Sequence, residues 1–303
     1  MARNETLRTP AAARMDAAMS AYVLTLSCAD RVGIVAAVSG YLARIDGFIL
    51  DSQQYADLDA GRFFMRVEFK AAGPGFPDSA ATLRNGFADV AAAFALDWSL
   101  DAKDARTRLL IAVSKGSHCL NDLLHRWKTG DLPVDIVGVV SNHETLRDLT
   151  EWHGVPFHYL PIVDGDRAAQ EVSIAAIFDA TQAGLLVLAR YMQVLGPELA
   201  QRLAGRCINI HHSFLPSFKG ARPYARAHER GVKLIGATAH YVTGDLDEGP
   251  IIEQAVERVD HRATEADLIR IGRDIESQVL ARAVRWAAER RVFQNGHRTV
   301  VFR

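Results

Sequence analysis

Two polar side chains stand two positions apart at the end of a short apolar run. Asn209 lies within the predicted strand Cys207–Ile210, and His211 directly follows it. A loop rich in Ser, Pro and Gly comes next. Residues two apart in an extended segment project from the same face, so this amide and imidazole should share one face. Such a pair suits a carbonyl group whose oxygen becomes negative during a reaction. The alternative is a strand-end Asn and His that satisfy only local backbone groups.

A second polar segment runs from His240 to Gly249, between the predicted strands Ala237–Val242 and Pro250–Val256. Its acidic, Gly-flanked turn contains Asp247. A carboxylate beside an imidazole can orient the ring, stabilise its charged form or take a proton from water. The alternative is an ordinary hairpin turn with solvated carboxylates. The combination with the earlier pair, all at strand ends, favours a catalytic site.

The neighbours His211 and His212 could suggest a metal site. Adjacent residues on a strand point to opposite faces, so we expect the two rings to diverge. No set of His, Cys and Asp residues has the spacing of a zinc site such as HExxH. The sequence therefore predicts no metal ion.

The chain shows two successive patterns of apolar and polar residues, which predict two domains. The first reads βαββαβ, a ferredoxin-like unit. Its predicted elements are strand Tyr22–Cys28, helix Ile34–Ile45 closed by Gly47, strands Phe48–Ala56 and Arg62–Lys70 around the turn Asp57–Gly61, helix Ala80–Phe94 and strand Leu96–Leu100. We expect residues 1–20 to form a disordered tail, 21–101 the first domain, and the charged run Asp101–Thr107 the boundary.

Residues 107–303 form the second predicted domain, in which short apolar strands alternate with helical segments. Near-continuous apolar strands of this kind indicate a mostly parallel, Rossmann-like α/β sheet with helices on both faces. Ligands then bind beyond the carboxyl ends of the strands. The predicted strands are Arg108–Ser114, Val134–Val140, Phe157–Pro161, Leu185–Ala189 and Cys207–Ile210, and the amphipathic helix Ala266–Arg290 closes the domain.

Composition narrows the function classes. The 303 residues carry a formal net charge of -1, which gives no electrostatic footprint for nucleic acid or an anionic membrane. Three separated cysteines predict reduced thiols in a cytoplasmic protein. No apolar run is long enough to span a membrane, and the first residues lack a signal-peptide core.

The two polar segments together resemble the folate-dependent formyltransferase family. The matching positions are Asn209-x-His211-x-Ser213-x-Leu215-Pro216, then Gly220, His240 and Leu246-Asp247-x-Gly249-Pro250. The resemblance covers roughly Arg108 to the end of the chain. It implies a catalytic trio of Asn209, His211 and Asp247 acting on 10-formyltetrahydrofolate as substrate, with no cofactor. The folate-binding residues it implies are Met192, Gln193, Val194, Leu195, His240, Thr243, Gly244 and Asp245.

The first predicted domain resembles an ACT domain, with Ala29–Ile34 (ADRVGI) at its strand–helix junction. This resemblance implies a homo-oligomer paired through that domain and an amino-acid effector, glycine or methionine, near Asp30, Arg31, Gly33 and Ile34. An N-terminal ACT domain is typical of the hydrolytic branch of the family. The runs Lys219–Tyr224 and Gly231–Tyr241 also resemble that branch.

Departures from the family pattern indicate which molecule accepts the formyl group. In members that formylate a ribonucleotide, the loop after the first strand is a glycine-rich phosphate cradle, of which Ser114–Cys119 keeps only Gly116-Ser117. We also find no counterpart of the RNA-binding extension of the members that act on tRNA. Both departures favour water as acceptor, and thus release of formate for purine synthesis or for balancing one-carbon folate pools. The alternatives are a formyltransferase to a small amine and a binding regulator without catalysis.

The resemblance implies a mechanism for each member of the trio. Asn209 would donate a hydrogen bond to the oxyanion, and His211, as imidazolium, would be the second donor. Asp247 would hold His211 in its charged form and position or deprotonate the attacking water.

Overall fold

The computed structural model describes residues 21–215 and 223–303. The chain divides between Ala105 and Arg106 into two compact units. The expected tail 1–20, and Pro216, Gly220 and most of the run 219–224, lie outside the described residues.

The first unit has the predicted element order, βαββαβ. Its elements are β1 (Ala21–Ala29), α1 (Ile34–Arg44), β2 (Gly47–Asp57), β3 (Arg62–Ala71), α2 (Ala80–Phe94) and β4 (Asp97–Ala102). The four strands form an antiparallel sheet in the order β2-β3-β1-β4. Alternate β1 residues such as Leu24 and Leu26 are buried in one cluster with Leu42 of α1 and Phe87 of α2, as period-two alternation demands.

The role predicted for Gly47 is wrong. Helix α1 ends at Arg44, the left-handed turn falls on Asp46 with φ 54°, and Gly47 is the first residue of β2. A Cβ at position 47 would lie 3.0 Å from the carbonyl oxygen of Leu42. Glycine at position 47 therefore favours a strand that starts close to the helix, because a Cβ there would crowd the Leu42 carbonyl, and an Asp tolerates the left-handed turn.

The second unit is built on a seven-stranded sheet. Its strand order is β11-β10-β9-β8-β5-β6-β7. The strands are β5 (Thr107–Val113), β6 (Val134–Ser141), β7 (Phe157–Tyr159), β8 (Leu185–Leu188), β9 (Cys207–His211), β10 (Leu234–Tyr241) and β11 (Ile251–Arg258). Strands β5 to β9 pair in parallel, while β10 runs antiparallel to both of its neighbours. The sheet is therefore mixed but mostly parallel.

Helices cover both faces of this sheet. The helices are α3 (His118–Thr129), α4 (Arg147–Trp152) after a short 3-10 turn, α5 (Arg167–Ala180), α6 (Pro197–Arg202), α7 (Pro223–Glu229) and α8 (Glu265–Ala288). One apolar cluster joins the sheet to α3 and α8, and a second joins it to α5 and α6. The long α8 starts with a capping box between Thr264 and Asp267.

The sequence reading missed a C-terminal hairpin. Helix α8 ends at Ala288, and β12 (Val292–Asn295) pairs with β13 (Arg298–Val301). Strands of four residues are too short for a periodic signal, although the two-residue loop Gly296-His297 starts with a glycine of positive φ, which is typical of a hairpin turn. Among the helices of the described ranges, none is both long and apolar enough to cross a membrane.

Candidate active site

A cavity of about 270 Å³ opens where β8, β9 and β10 end. It lies beyond the carboxyl end of the parallel strands β8 and β9, the position expected for a ligand in such a sheet. Its described lining comprises Leu188, Arg190, Tyr191, Met192, Gln193, Val194, Leu195, Asn209, Ile210, His211, His212, His240, Val242, Thr243, Gly244, Asp245, Leu246 and Asp247. All three predicted catalytic residues and all eight predicted folate-binding residues thus border one cavity.

The three predicted catalytic residues lie within reach of one another. Asp247 Oδ2 is 3.2 Å from His211 Nδ1, and these side chains are 18% and 13% exposed. Asn209 and His240 are direct cross-strand partners on β9 and β10, and Asn209 Nδ2 lies 3.3 Å from His240 Nε2. The sheet and the turn that follows β10 therefore place an amide, two imidazoles and a carboxylate at the same cavity.

The backbone determines the tautomer of neutral His240. Its Nδ1 lies 2.8 Å from the carbonyl oxygen of Tyr241, which can only accept, so Nδ1 carries the hydrogen. Nε2 is then an acceptor for one N–H of Asn209, and a primary amide has a second N–H. His240 in this form orients the Asn209 amide and leaves that second hydrogen available to a ligand.

Asp247 is held by a tight turn after β10. Its backbone is left-handed, with φ 58°, a conformation that Asp and Asn adopt more readily than most residues. Two residues later the chain passes so close to β10 that a Cβ on Gly249 would lie 1.7 Å from the Tyr241 carbonyl oxygen. The Tyr241 N–H donates to the Pro250 carbonyl at 2.9 Å and closes the turn. Glycine at 249 is thus required to bring Asp247 back to His211.

The carboxyl group of Asp247 is strongly acidic in this setting. Hydrogen bonding to His211 holds the pKa of Asp247 well below its ordinary value, although partial burial opposes the shift. Asp247 is therefore ionised throughout the neutral range and serves as a hydrogen-bond acceptor.

The opposite wall is the segment from Arg190 to Leu195, which follows β8. The backbone N–H of Met192 donates to Ser114 Oγ at 3.0 Å, and Ser114 in turn donates to Asn142 at 2.7 Å. The Tyr191 hydroxyl donates to Gln170 on α5 at 2.7 Å. These bonds fix an irregular segment while the side chains of Met192 and Val194 stay more than half exposed at the cavity.

The expected divergence of His211 and His212 is wrong. Strand β9 ends at His211, so the alternation rule no longer applies at His212. The two rings stack with centroids 4.8 Å apart and planes at 23°. Arg190 Nη1 donates to His212 Nδ1 at 3.0 Å. Burial, together with the charge of Arg190, lowers the pKa of His212 to about 4, so this ring is neutral at neutral pH.

A buried ionic cluster behind this wall was not predicted from the sequence. Glu276 on α8 is 1% exposed and accepts hydrogen bonds from His118 and Tyr224, each at 2.8 Å. Arg190 Nε lies 3.3 Å from the same carboxylate. Burial opposes ionisation of Glu276, but bonding to His118 and the charge of Arg190 outweigh it and lower its pKa. A single carboxylate in an amphipathic helix carries no sequence signal of this role.

Protein side chains occupy the positions around the Glu276 carboxylate. Ligand atoms of His118, Cys119 and Glu276 lie within 4.8 Å of one another, a spacing that a metal site also requires. Both oxygens of Glu276 already have partners, however, and one of these partners is a permanent cation, Arg190.

The four predicted effector residues lie together at the β1–α1 junction of the first unit. Gly33 precedes α1 with φ 98°, a conformation suited to glycine, and Ile34 is buried. Asp30 N–H donates to the Gly61 carbonyl at 2.9 Å. Arg31 donates to the Ala93 carbonyl and its guanidinium lies 4.4 Å from the Phe94 ring centre.

Known proteins resemble this chain over most of its length. A family model described as formyl transferase matches residues 107–284. A formyltetrahydrofolate deformylase of Corynebacterium sp. (strain P-1) is 53% identical, over 93% of this chain and 98% of that protein. One of Bacillus subtilis (strain 168) is 49% identical, over 92% of this chain and 93% of that protein.

Solved structures agree with these relatives. A formyltetrahydrofolate deformylase from Burkholderia mallei matches with a TM-score of 0.90 and 52% identity, over 94% of this chain and all of that one (100%). A glycinamide ribonucleotide transformylase from Symbiobacterium toebii matches with a TM-score of 0.63 and 28% identity, over 68% of this chain and 98% of that one.

Proposed function

Because the chain belongs to the formyl transferase family, we propose that Asn209, His211 and Asp247 transfer a formyl group from a reduced folate to water. The protein is a hydrolase that converts 10-formyltetrahydrofolate to formate and tetrahydrofolate. The observation that carries the catalytic assignment is the placement of an ionised carboxylate, an imidazole and an oriented amide at one wall of a single cavity.

In the proposed mechanism, the formyl oxygen faces Asn209 and His211. Water attacks the formyl carbon, and the oxygen becomes negative. The free N–H of the Asn209 amide and the His211 ring then donate to this oxyanion, stabilising charge that exists only in the transition state and intermediate. Their preorganisation by His240 and Asp247 means that little rearrangement is needed at the moment of reaction.

Asp247 is assigned to the attacking water. Its carboxylate remains ionised because hydrogen bonding to His211 lowers its pKa, so it can accept a hydrogen bond from the attacking water and position it. The proton of this water becomes acidic as the water attacks the formyl carbon, and it passes by way of the carboxylate to the folate nitrogen. The intermediate then collapses by breaking the bond from carbon to the folate nitrogen. That nitrogen receives a proton, and the water oxygen leaves in formate.

The folate ring is proposed to lie between the Met192–Leu195 segment and the loop from Thr243 to Asp245. The former exposes apolar side chains, and the latter offers backbone groups beside Asp247. A cavity of about 270 Å³ suits the flat heterocycle of one substrate. The rest of the folate would extend towards solvent.

Two features support water as the acceptor. The deformylase structure matches 94% of this chain, whereas the transformylase structure matches 68%. In addition, the loop after β5 meets Glu276, because His118 at the start of α3 donates to that buried carboxylate. A phosphorylated acceptor at this loop would find Nε2 of the His118 ring already bonded to Glu276.

Hydrolysis is separated from amine formylation by an acceptor-free assay. The protein is incubated with 10-formyltetrahydrofolate alone, and formate and tetrahydrofolate are quantified. We expect both products in equal amounts at a rate proportional to protein. A protein that consumed substrate only after addition of an amine would be a transferase, and one that bound substrate without turnover would be a regulator.

We also propose that the first unit is a ferredoxin-like ACT domain that pairs subunits and binds glycine or methionine. The support is its βαββαβ order and the left-handed Gly33 at the β1–α1 junction. Titration of each amino acid into the formate assay should change the rate, and Asp30→Ala should weaken that response. Flat responses to both amino acids would count against an effector. The buried, unpaired cysteines support a reducing, cytoplasmic location.

A further inference from the structure

His212 is the shared wall between the reaction cavity and a second, larger cavity. The second cavity has about 650 Å³, and its lining includes His212, Tyr224 and the charged residues Arg226, Glu229 and Arg230. Its apolar lining residues include Phe214, Val232, Leu234, Ile235 and Val256. Phe214, Leu234 and Val256 are about half exposed, so the cavity is open to solvent.

The His212 ring is held rigidly in this position. It stacks on His211 on one side, receives the Arg190 hydrogen bond, and has the Tyr224 ring 6.4 Å away. Arg190 and Tyr224 are themselves both anchored to the buried carboxylate of Glu276. One buried group thus fixes both neighbours of the ring.

Helix α8 is adapted to this arrangement. Gly272 lies one turn before Glu276 on the same helix face, and a Cβ there would lie 2.0 Å from the Tyr224 hydroxyl oxygen. The missing side chain admits Tyr224 against the helix. This independent observation indicates that the position of Tyr224 is a built feature of the fold.

We propose that His212, supported by Arg190, Glu276 and Tyr224, determines acceptor specificity by closing the reaction cavity to amines from the second cavity. The inference rests on the proposed hydrolysis. Water is small enough to enter beside the folate, whereas an amine would need the space that the His212 ring fills. Removal of the ring would join the two cavities beside His211.

An amine admitted in this way would replace water in a balanced step. The amine nitrogen attacks the formyl carbon, and the bond from carbon to the folate nitrogen breaks. The proton lost by the amine passes to the folate nitrogen. The products are an N-formyl amine and tetrahydrofolate, without any change of oxidation state.

Aniline is a suitable probe. It is uncharged and nucleophilic at neutral pH, and a benzene ring is accommodated by an apolar cavity of about 150 Å³, far less than the second cavity offers. The enzyme and its variants are incubated with 10-formyltetrahydrofolate and increasing aniline, and formanilide and formate are both quantified. The ratio of these products reports specificity separately from rate.

Wild-type protein should release formate with no more than a trace of formanilide. His212→Ala should form formanilide, with a formanilide-to-formate ratio at least about tenfold above wild type, equivalent to about 1.4 kcal/mol of barrier difference. His212→Phe keeps a ring and should still exclude aniline. His228→Ala is an exposed control on α7, outside the described linings of both cavities, and should match wild type.

Tyr224→Ala provides a second opening variant, because it removes a support of the His212 ring and lets the ring move towards the second cavity, while the stacked histidines stay unchanged in sequence. Tyr224 is not among the described residues that line the reaction cavity, so formate release should persist in this variant. The proposal is overturned if neither opening variant makes formanilide, including through loss of all turnover in both, or if His212→Phe makes as much as His212→Ala. Absence of formate from wild-type protein would instead refute the proposed hydrolysis.

Discussion

At the scale of single residues, catalysis depends on the few groups that can stabilise the oxyanion. Asn209 has a defined orientation because His240 accepts one of its amide hydrogens, and the tautomer of His240 is fixed by the Tyr241 carbonyl. An amide held this way is preorganised for a charge that appears only during reaction. Its removal should therefore affect turnover more than substrate binding.

Asn209→Ala should lower kcat by roughly 10²–10³, the usual effect of losing one oxyanion donor. The value of KM should change much less, because the donor acts mainly in the transition state. Steady-state formate release measures both constants. Asn121→Ala on the exposed face of α3 is a matched control and should leave kcat unchanged. Similar losses in the two variants would exclude the assigned role.

Asp247→Asn should lower kcat at least as strongly. The variant keeps the side-chain shape, and Asn tolerates the left-handed backbone observed here, so the turn should remain intact. It loses the negative charge that accepts a hydrogen bond from His211. The same charge is assigned to accept a hydrogen bond from the attacking water. Circular dichroism verifies the fold and formate release gives the rate. Near-normal turnover in a folded variant would show that Asp247 is not the acceptor group.

Asp247 should also contribute to stability in a pH-dependent way. Its folded-state pKa lies below its ordinary value, so its contribution is fully present above about pH 4 and is lost as the pH falls through the folded-state pKa. The difference in free energy of unfolding between wild type and Asp247→Asn should narrow as the pH decreases below about 4. Urea denaturation at several acidic pH values measures it. A difference that stays the same at all pH values would contradict the lowered pKa of Asp247. Asp59→Asn, in an exposed turn, is the control.

At the scale of elements, periodicity was sufficient where strands and helices are long. The alternation in β1 and the helical spacing of α2 predict those elements almost to the residue. Short β12 and β13 carry too few residues for a period, and were missed. The sequence assigns the residue that closes α1 to Gly47, whereas the left-handed residue is Asp46, because this glycine serves the close start of β2.

The candidate site also has features that the sequence predicts and features that it does not. Its cavity-facing residues follow strands and carry recognisable motifs, so they could be named from the sequence. The stack of His212 on His211 forms because β9 ends at His211. The sequence does not define the end of a strand to within one residue, so this stack could not be predicted. Glu276 and Arg190 are 86 positions apart, and only the tertiary fold brings them together.

Gly272 illustrates a tertiary requirement that overrides helix propensity. An alanine in a helix interior is normally more stable than glycine by about 1 kcal/mol. Gly272→Ala should instead lower the free energy of unfolding, because its Cβ would displace the Tyr224 hydroxyl from Glu276. Urea denaturation measures the change. In a Tyr224→Ala background the same substitution should cost less, and equal costs in both backgrounds would disprove the clash.

At the scale of the whole molecule, the first unit presents an apolar edge. Strand β2 ends the sheet order, and its Phe48, Leu50 and Tyr55 side chains are about half exposed. Exposed apolar side chains on an edge strand favour association with another chain. This is the physical basis for expecting a homo-oligomer formed through the first unit.

Leu50→Glu should reduce the mass measured by light scattering, because a buried charge at the interface would be costly. Leu58→Glu places the same charge in the exposed turn after β2 and is the matched control. We expect the control to keep the wild-type mass. An unchanged mass for Leu50→Glu would place the contact between subunits elsewhere.

The most direct test of formyl transfer to water follows the oxygen atom. Wild-type protein is given 10-formyltetrahydrofolate in water enriched in heavy oxygen, without any amine, and the formate is analysed by mass spectrometry. Each formate should gain an oxygen atom from the solvent, and Asn209→Ala and Asp247→Asn should slow formation of the labelled product. Absence of formate, or formate without heavy oxygen, would contradict formyl transfer to water.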